Sequence, residues 1–129
     1  KRRLGVAAAL ALNPRTLILD EITNGQDALE KVRMMEYLQA INTKRGMTIV
    51  LISHDMEIVR RYARRVLVLH HGNLVFDGTP KELFNGNYPV ERWGLHRPVV
   101  ASLAAALGID AAQPEEFCEA VCIKEGGWK

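Results

Sequence analysis

The chain has 129 residues, of which 17 are basic and 15 acidic, and its side chains are 48% apolar and 25% charged. That composition excludes an intrinsically disordered chain, and a near-balanced charge without basic–aromatic interleaving gives no ground for a nucleic-acid surface. The longest apolar runs, around residues 6–12 and 99–107, fall short of the ~18 residues that cross a bilayer.

Residues 4–12 are rich in Ala and Leu and predict a helix, which Asn13-Pro14 ends. No Met precedes Lys1-Arg2-Arg3, and the run leads directly into a strand rather than a cleavable small-residue site, so position 1 is expected to lie inside a larger domain. Thr16-Leu17-Ile18-Leu19 has the continuous apolar character of a strand buried on both faces. It stops at two carboxylates, Asp20 and Glu21, before the turn cluster Thr23-Asn24-Gly25.

Asp27 followed by Glu30 resembles a capping box with Asp in the cap position. Leu29, Val32, Met35, Leu38 and Ile41 then recur at near-helical steps, and Gly46 closes the helix. Residues 47–52 predict a second buried strand ending at Ser53-His54-Asp55, with a helix through about residue 65 behind it. Strands at 66–69 and 73–76 flank the turn His71-Gly72. Thr79, Pro80 and Glu82 carry three helix-start signals at once. Residues 85–89 read as a loop, 98–107 as a helix closed by Gly108, and 114–121 as a last helix.

An alternation of strands and helices implies parallel strands joined by helical crossovers, with ligands beyond the strands' carboxyl ends. Asp20, Glu21 and His54 all fall at such ends. A carboxylate emerging from an apolar strand favours a cation beside it, and Mg²⁺ takes one or two carboxylates with waters and phosphate oxygens, which makes Asp20 the candidate metal residue. Glu21 suits orienting or deprotonating a water that attacks phosphorus, and His54 suits a hydrogen bond to a terminal phosphate. Taken singly, a strand ending in Asp-Glu is a solvated strand end, and a lone histidine is structural; the combination is what points to a site.

That combination resembles a known family. Residues 16–21 are similar to the Walker B motif of ABC-type ATPases with its adjoining catalytic glutamate, 22–27 to their D-loop, and 49–55 to their switch-histidine strand. Residues 1–12 resemble the helix after their LSGGQ signature, and 66–80 their closing strand and hairpin. The resemblance implies an α/β fold comprising part of a P-loop NTPase core, with parallel strands, helical crossovers and a closing β-hairpin, followed by a small C-terminal helical extension. Residues 1–84 would be the C-terminal half of the nucleotide-binding domain and 85–129 the extension. It further implies ATP and Mg²⁺ as ligands, with Asp20 holding the metal, Glu21 and His54 catalytic, and Asp27 in the loop that meets a second ATPase subunit.

Residues 92–103, from Arg92-Trp93-Gly94-Leu95-His96-Arg97-Pro98 to Leu103, are similar to the C-terminal extension of energy-coupling-factor importer ATPases, and 114–121 to its final short helix. That branch implies a peripheral protein on the cytoplasmic face of the cell membrane, partnered by transmembrane subunits and driving uptake of a metal ion or vitamin. The chain departs from the family pattern at Ile22, where Pro is usual, and at Gln26. A GxxxxGK[ST] phosphate loop, the Q-loop and the signature motif do not occur in it, so little or no ATP binding and an unpaired apolar edge on the first strand are expected of it alone. The other readings are a non-catalytic remnant acting only through partners, and a soluble ABC-type ATPase acting on DNA or ribosomes. The latter predicts a long heptad run or basic tail, and neither appears.

Remaining features have plainer readings. Cys118 and Cys122 are too few for a disulfide framework and are expected to be reduced thiols. His70 and His71 are expected on opposite faces of a strand, and Arg60, Arg61, Arg64 and Arg65 on a solvated helix face with like charges four apart. Trp93 and Trp128 mark no site.

Overall fold

The computed structural model describes residues 2–85 and 87–108; the expected helix at 114–121, both cysteines and Trp128 lie outside the described residues. Helix α1 (Arg2–Ala11) ends where Asn13 turns left-handed before Pro14. Strand β1 (Thr16–Asp20) leads through a turn to helix α2 (Ala28–Arg45), and strand β2 (Thr48–Ile52) follows. Asp27 caps α2 by accepting the Glu30 N–H at 2.7 Å, and Gly46, at φ 60°, closes it in the left-handed conformation that a Cβ disfavours. Asn42 Nδ2 donates to the Met47 carbonyl at 2.6 Å, tying the end of α2 to the entry of β2.

β1 and β2 are parallel and in register, with Thr16 opposite Thr48 and Asp20 opposite Ile52. These belong to one of two compact units, Lys1–His54; the other is Asp55–Lys129. Buried apolar residues of the first unit include Val6, Leu10, Leu17, Leu19, Leu38 and Ile41. The strands are not buried on both faces: Ile18 is 66% exposed, Val50 43% and Ile52 51%. They share one side of the pleat, because side chains two apart on a strand, and those opposite in register, point the same way. Among the described residues β1 pairs with β2 alone, which leaves its other edge without a paired strand there.

In the second unit, helix α3 (Met56–Tyr62) is capped by Asp55 and ends at Tyr62, short of the expected residue 65, because Ala63 is extended. Strands β3 (Val66–His70) and β4 (Asn73–Gly78) form an antiparallel hairpin, a sheet separate from β1 and β2. Its two-residue turn has φ 48° at His71 and 78° at Gly72, the doubly left-handed geometry that matches strand twist. A bulge follows Val68, which lies opposite Phe76 while Leu69 lies opposite Leu74.

Helix α4 (Pro80–Phe84) starts with the full reciprocal box. The Thr79 hydroxyl accepts from the Glu82 N–H, and the Glu82 carboxylate accepts from the Thr79 N–H at 2.7 Å. Those hydrogen bonds from Thr79 hold the Glu82 carboxyl below the usual carboxylate range. A short 3₁₀ turn (Val90–Trp93), unannounced by any periodicity, precedes helix α5 (Val99–Leu107), which Gly108 closes at φ 63°. The core joins Met56, Val68, Phe76, Leu83, Phe84, Val90 and Ala101, with Trp93 packed against it.

The four arginines do not share a face. Arg60 is buried against Glu57, and Arg64 and Arg65 lie beyond the helix, so like charges four apart on one helix do not occur. Arg65 clasps Asp77 through two bonds of 2.7 Å, Nε to Oδ1 and Nη2 to Oδ2. That hydrogen bonding holds the Asp77 carboxyl below its ordinary value. A depressed carboxylate stabilises the fold above its unfolded value, and the contribution is lost as pH falls through the folded one. Asp77→Asn is therefore expected to lower stability slightly near neutrality, to leave it unchanged at strongly acid pH, and so to flatten the fall in stability below about pH 4, in urea melts at several pH values.

Candidate functional site

The site begins with the register of β1 and β2. Parallel pairing of Asp20 with Ile52 brings both carboxyl ends level, and the Glu21 N–H donates to the Ile52 carbonyl at 3.0 Å, one step past the ladder. Glu21 then leaves the strand: its φ is 47°, a left-handed conformation that costs a non-glycine residue about 1 kcal/mol or more. Strand alternation stops there, and the turn re-aims the carboxylate along the sheet edge.

Glu21 Oε1 lies 2.7 Å from His54 Nδ1. An ionised carboxylate offers only acceptors, so in that state Nδ1–H is the donor and Nε2 is turned away from Glu21. Both side chains reach solvent, His54 at 72% and Glu21 at 36%. The contact links residues from the ends of two neighbouring strands and rests on backbone pairing rather than on a flexible loop.

Asp20 is exposed at the last position of β1. What places it beside the Glu21–His54 pair is adjacency in the chain at the end of β1. Asp27 is not brought to the pair by any contact, and its carboxylate is engaged in capping α2. Between them, successive turns place Asn24 N on the Glu21 carbonyl and Gln26 N on the Thr23 carbonyl, with Gly25 at φ 72°. Ile22 and Thr23 are buried within this turn, and Gln26 Oε1 is buried without a hydrogen-bond partner. A cleft of ≈ 350 Å³, lined by Gly5, Val6 and Ala9 of α1 and by residues 17–22, opens beside the two carboxylates.

The donor set suits a hydrated, hard cation: an oxygen ligand at a strand end, open to solvent, with further acidic oxygen next to it. His70 and His71 offer a different picture from the one expected of a strand. Their ring centroids are 4.1 Å apart, because the left-handed backbone at His71 breaks the alternation that would separate them. Among the described residues no three His, Cys, Asp or Glu side chains converge as metal ligands.

An α/β unit with in-register parallel strands, a carboxylate pair at one strand end and a histidine at the next is the architecture of part of a P-loop-type ATPase. The energy-coupling factor transporter ATP-binding protein EcfA2 of Clostridium tetani is 39% identical over 107 residues, covering 83% of this chain and 37% of that protein. EcfA of Methanococcus maripaludis is 36% identical over 107 residues, with 83% and 38% covered. The solved structure of cbiO1 from Clostridium perfringens, part of the ABC transporter complex cbiONQ, matches with a TM-score of 0.61 and 33% identity, over 78% of this chain and 40% of that one. No protein-family model matches. The chain is homologous to a segment of ABC transporter ATP-binding proteins, energy-coupling-factor ATPases among them. It spans no more than two fifths of the length of these relatives.

Proposed function

We propose that this chain is part of the ATP-hydrolysing subunit of an energy-coupling-factor-like importer, with residues 1–84 in its nucleotide-binding domain and 85–129 in a C-terminal extension. The observation that carries the reading is the 2.7 Å contact between Glu21 and His54 at the ends of paired parallel strands. Its support from similarity lies in the names of the relatives, which are ATP-binding proteins of transporters.

In this reading Glu21 accepts the proton of the attacking water, and its bond to His54 orients the carboxylate for that task. His54 faces the terminal phosphate with its second nitrogen and responds to that phosphate's presence. Asp20 holds Mg²⁺, most simply through a water, and Asp27 lies in the loop facing a second ATPase subunit. Bound Mg²⁺ supplies neutralisation of phosphate charge. The phosphate grip itself comes from a Gly-rich loop that these residues do not contain. No described helix is long and apolar enough to cross a membrane, so coupling to transport is assigned to transmembrane partner subunits, on the cytoplasmic face. The cargo is a metal ion or a vitamin.

The test is Mg²⁺-dependent ATP hydrolysis by the complete protein and its Asp20→Asn variant. An outer-sphere metal residue, once neutralised, is expected to raise the Mg²⁺ needed for half-maximal turnover by about tenfold or more. Absence of hydrolysis in the complete parent protein, assembled with its partners, would remove the reading.

A further inference from the structure

Helix α5 has no side-chain acceptor at its N-terminal cap position. Pro98 precedes it, its first turn Val99-Val100-Ala101-Ser102 holds no acidic residue, and nine residues are too few for a helix to persist in water unaided. One of its orphan N–H groups is instead satisfied from another helix: the Val99 N–H donates to Glu57 Oε1 at 3.2 Å, across 42 positions of chain. The other oxygen of the same carboxylate, Oε2, accepts from Arg60 Nε at 3.2 Å and Nη2 at 2.7 Å. The Arg60 side chain is only 4% exposed, so its pairing with Glu57 offsets part of the cost of burying the charge.

We infer that Glu57 is a latch that caps α5 from α3, so that the start of α5 is capped only while the helix immediately after the His54 loop keeps its first turn. Three features argue for it together. The carboxylate puts negative charge at the positive end of α5, where it is favourable. Arg60 leaves the carboxylate little rotational freedom, because its Nε and Nη2 both bind Oε2 while a backbone donor binds Oε1. Glu57 also sits in the first turn of α3, whose start depends on Asp55 accepting the Ile58 N–H at 3.3 Å and on the Val59 N–H reaching the Asp55 carbonyl at 3.1 Å. Unwinding that turn moves Glu57 and uncaps α5; releasing α5 leaves the carboxylate with one fewer bond and loosens the turn. Glu57 is thus a positioning residue joining residues 55–60 to 99–107, and a movement at either end is felt at the other. The sequence signal was available as an apolar helix with no cap, but the donor of the cap lies too far along the chain to be found by spacing.

Amide hydrogen exchange in the complete protein, without nucleotide, tests this independently of any ATPase activity. Glu57→Gln keeps the side-chain shape but loses the charge. A double variant, Glu57→Ala with Arg60→Met, removes the carboxylate and the buried cation together, which separates loss of the cap from the cost of burying a charge whose Glu57 partner is gone. In both, exchange at Ser102 and Leu103 in α5 and at Ile58 and Val59 in α3 is expected to rise together, by about five- to thirtyfold. Faster exchange in α5 with α3 unchanged, or no change in either, overturns the latch.

Discussion

Glu21→Gln in the complete protein is expected to lower ATP turnover by about 10²–10⁴-fold while leaving nucleotide affinity within a few fold. The substitution is nearly isosteric, and a glutamine carbonyl oxygen still accepts the Nδ1–H of His54, so the 2.7 Å contact between the strand ends survives. What is lost is the capacity to take a proton, together with one negative charge beside the phosphates. Nucleotide affinity is expected to hold because the phosphate grip comes from backbone donors elsewhere. The left-handed conformation at Glu21 is equally accessible to Gln, so the backbone has no reason to relax. A single-turnover assay separates the effects: binding of ATP should persist and cleavage should stall. If the variant turned over at the parent rate, Glu21 would be a strand-end carboxylate held by His54 and nothing more. The same measurement on His54→Ala gives the complementary reading, since loss of the orienting partner should slow cleavage less than loss of the base.

Much of this arrangement was legible from local signals. Gly46 and Gly108 announce left-handed closures, Thr79-Pro80-Lys81-Glu82 announces a capping box, and Asp27 announces a cap; each involves residues within a few positions of one another. The Glu21–His54 pair was legible too, because strand ends can be read from apolar runs and parallel strands bring those ends to one edge. What could not be read depended on the third dimension or on a single backbone angle. The left-handed turn at Glu21 cancels the alternation that would have aimed its carboxylate at the opposite face, and the one at His71 brings two imidazoles side by side. Arg60 looks like any surface arginine until Glu57 and the burial around it are known. The exposed faces of Ile18, Val50 and Ile52 look like a doubly covered strand because composition reports what a face can bury, not what lies against it. The bulge after Val68 has no glycine to mark it.

The core of the second unit gives the other large effect. Leu83→Ala is expected to destabilise that unit by about 3–5 kcal/mol, the upper part of the range for emptying a buried leucine site. Leu83 is 0% exposed and belongs to a cluster assembled from α3, β3, β4, the 3₁₀ turn and α5. Walls from that many elements cannot close on the vacated volume without breaking hydrogen bonds elsewhere: the α4 capping box fixes one side and the β3–β4 register another. Leu74 serves as the control, since it is 54% exposed and its truncation should stay within about 0.5 kcal/mol. Urea unfolding followed by Trp93 fluorescence, in a Trp128→Phe background, reads the right region because Trp93 packs against the cluster. The midpoint should fall sharply for Leu83→Ala with an unchanged slope, which assigns the loss to the folded core rather than to the unfolded chain. Equal midpoints for the two variants would mean that the cluster is loosely packed. In that case α5, whose Ala101 belongs to it, would depend for its position on the Glu57 carboxylate and little else.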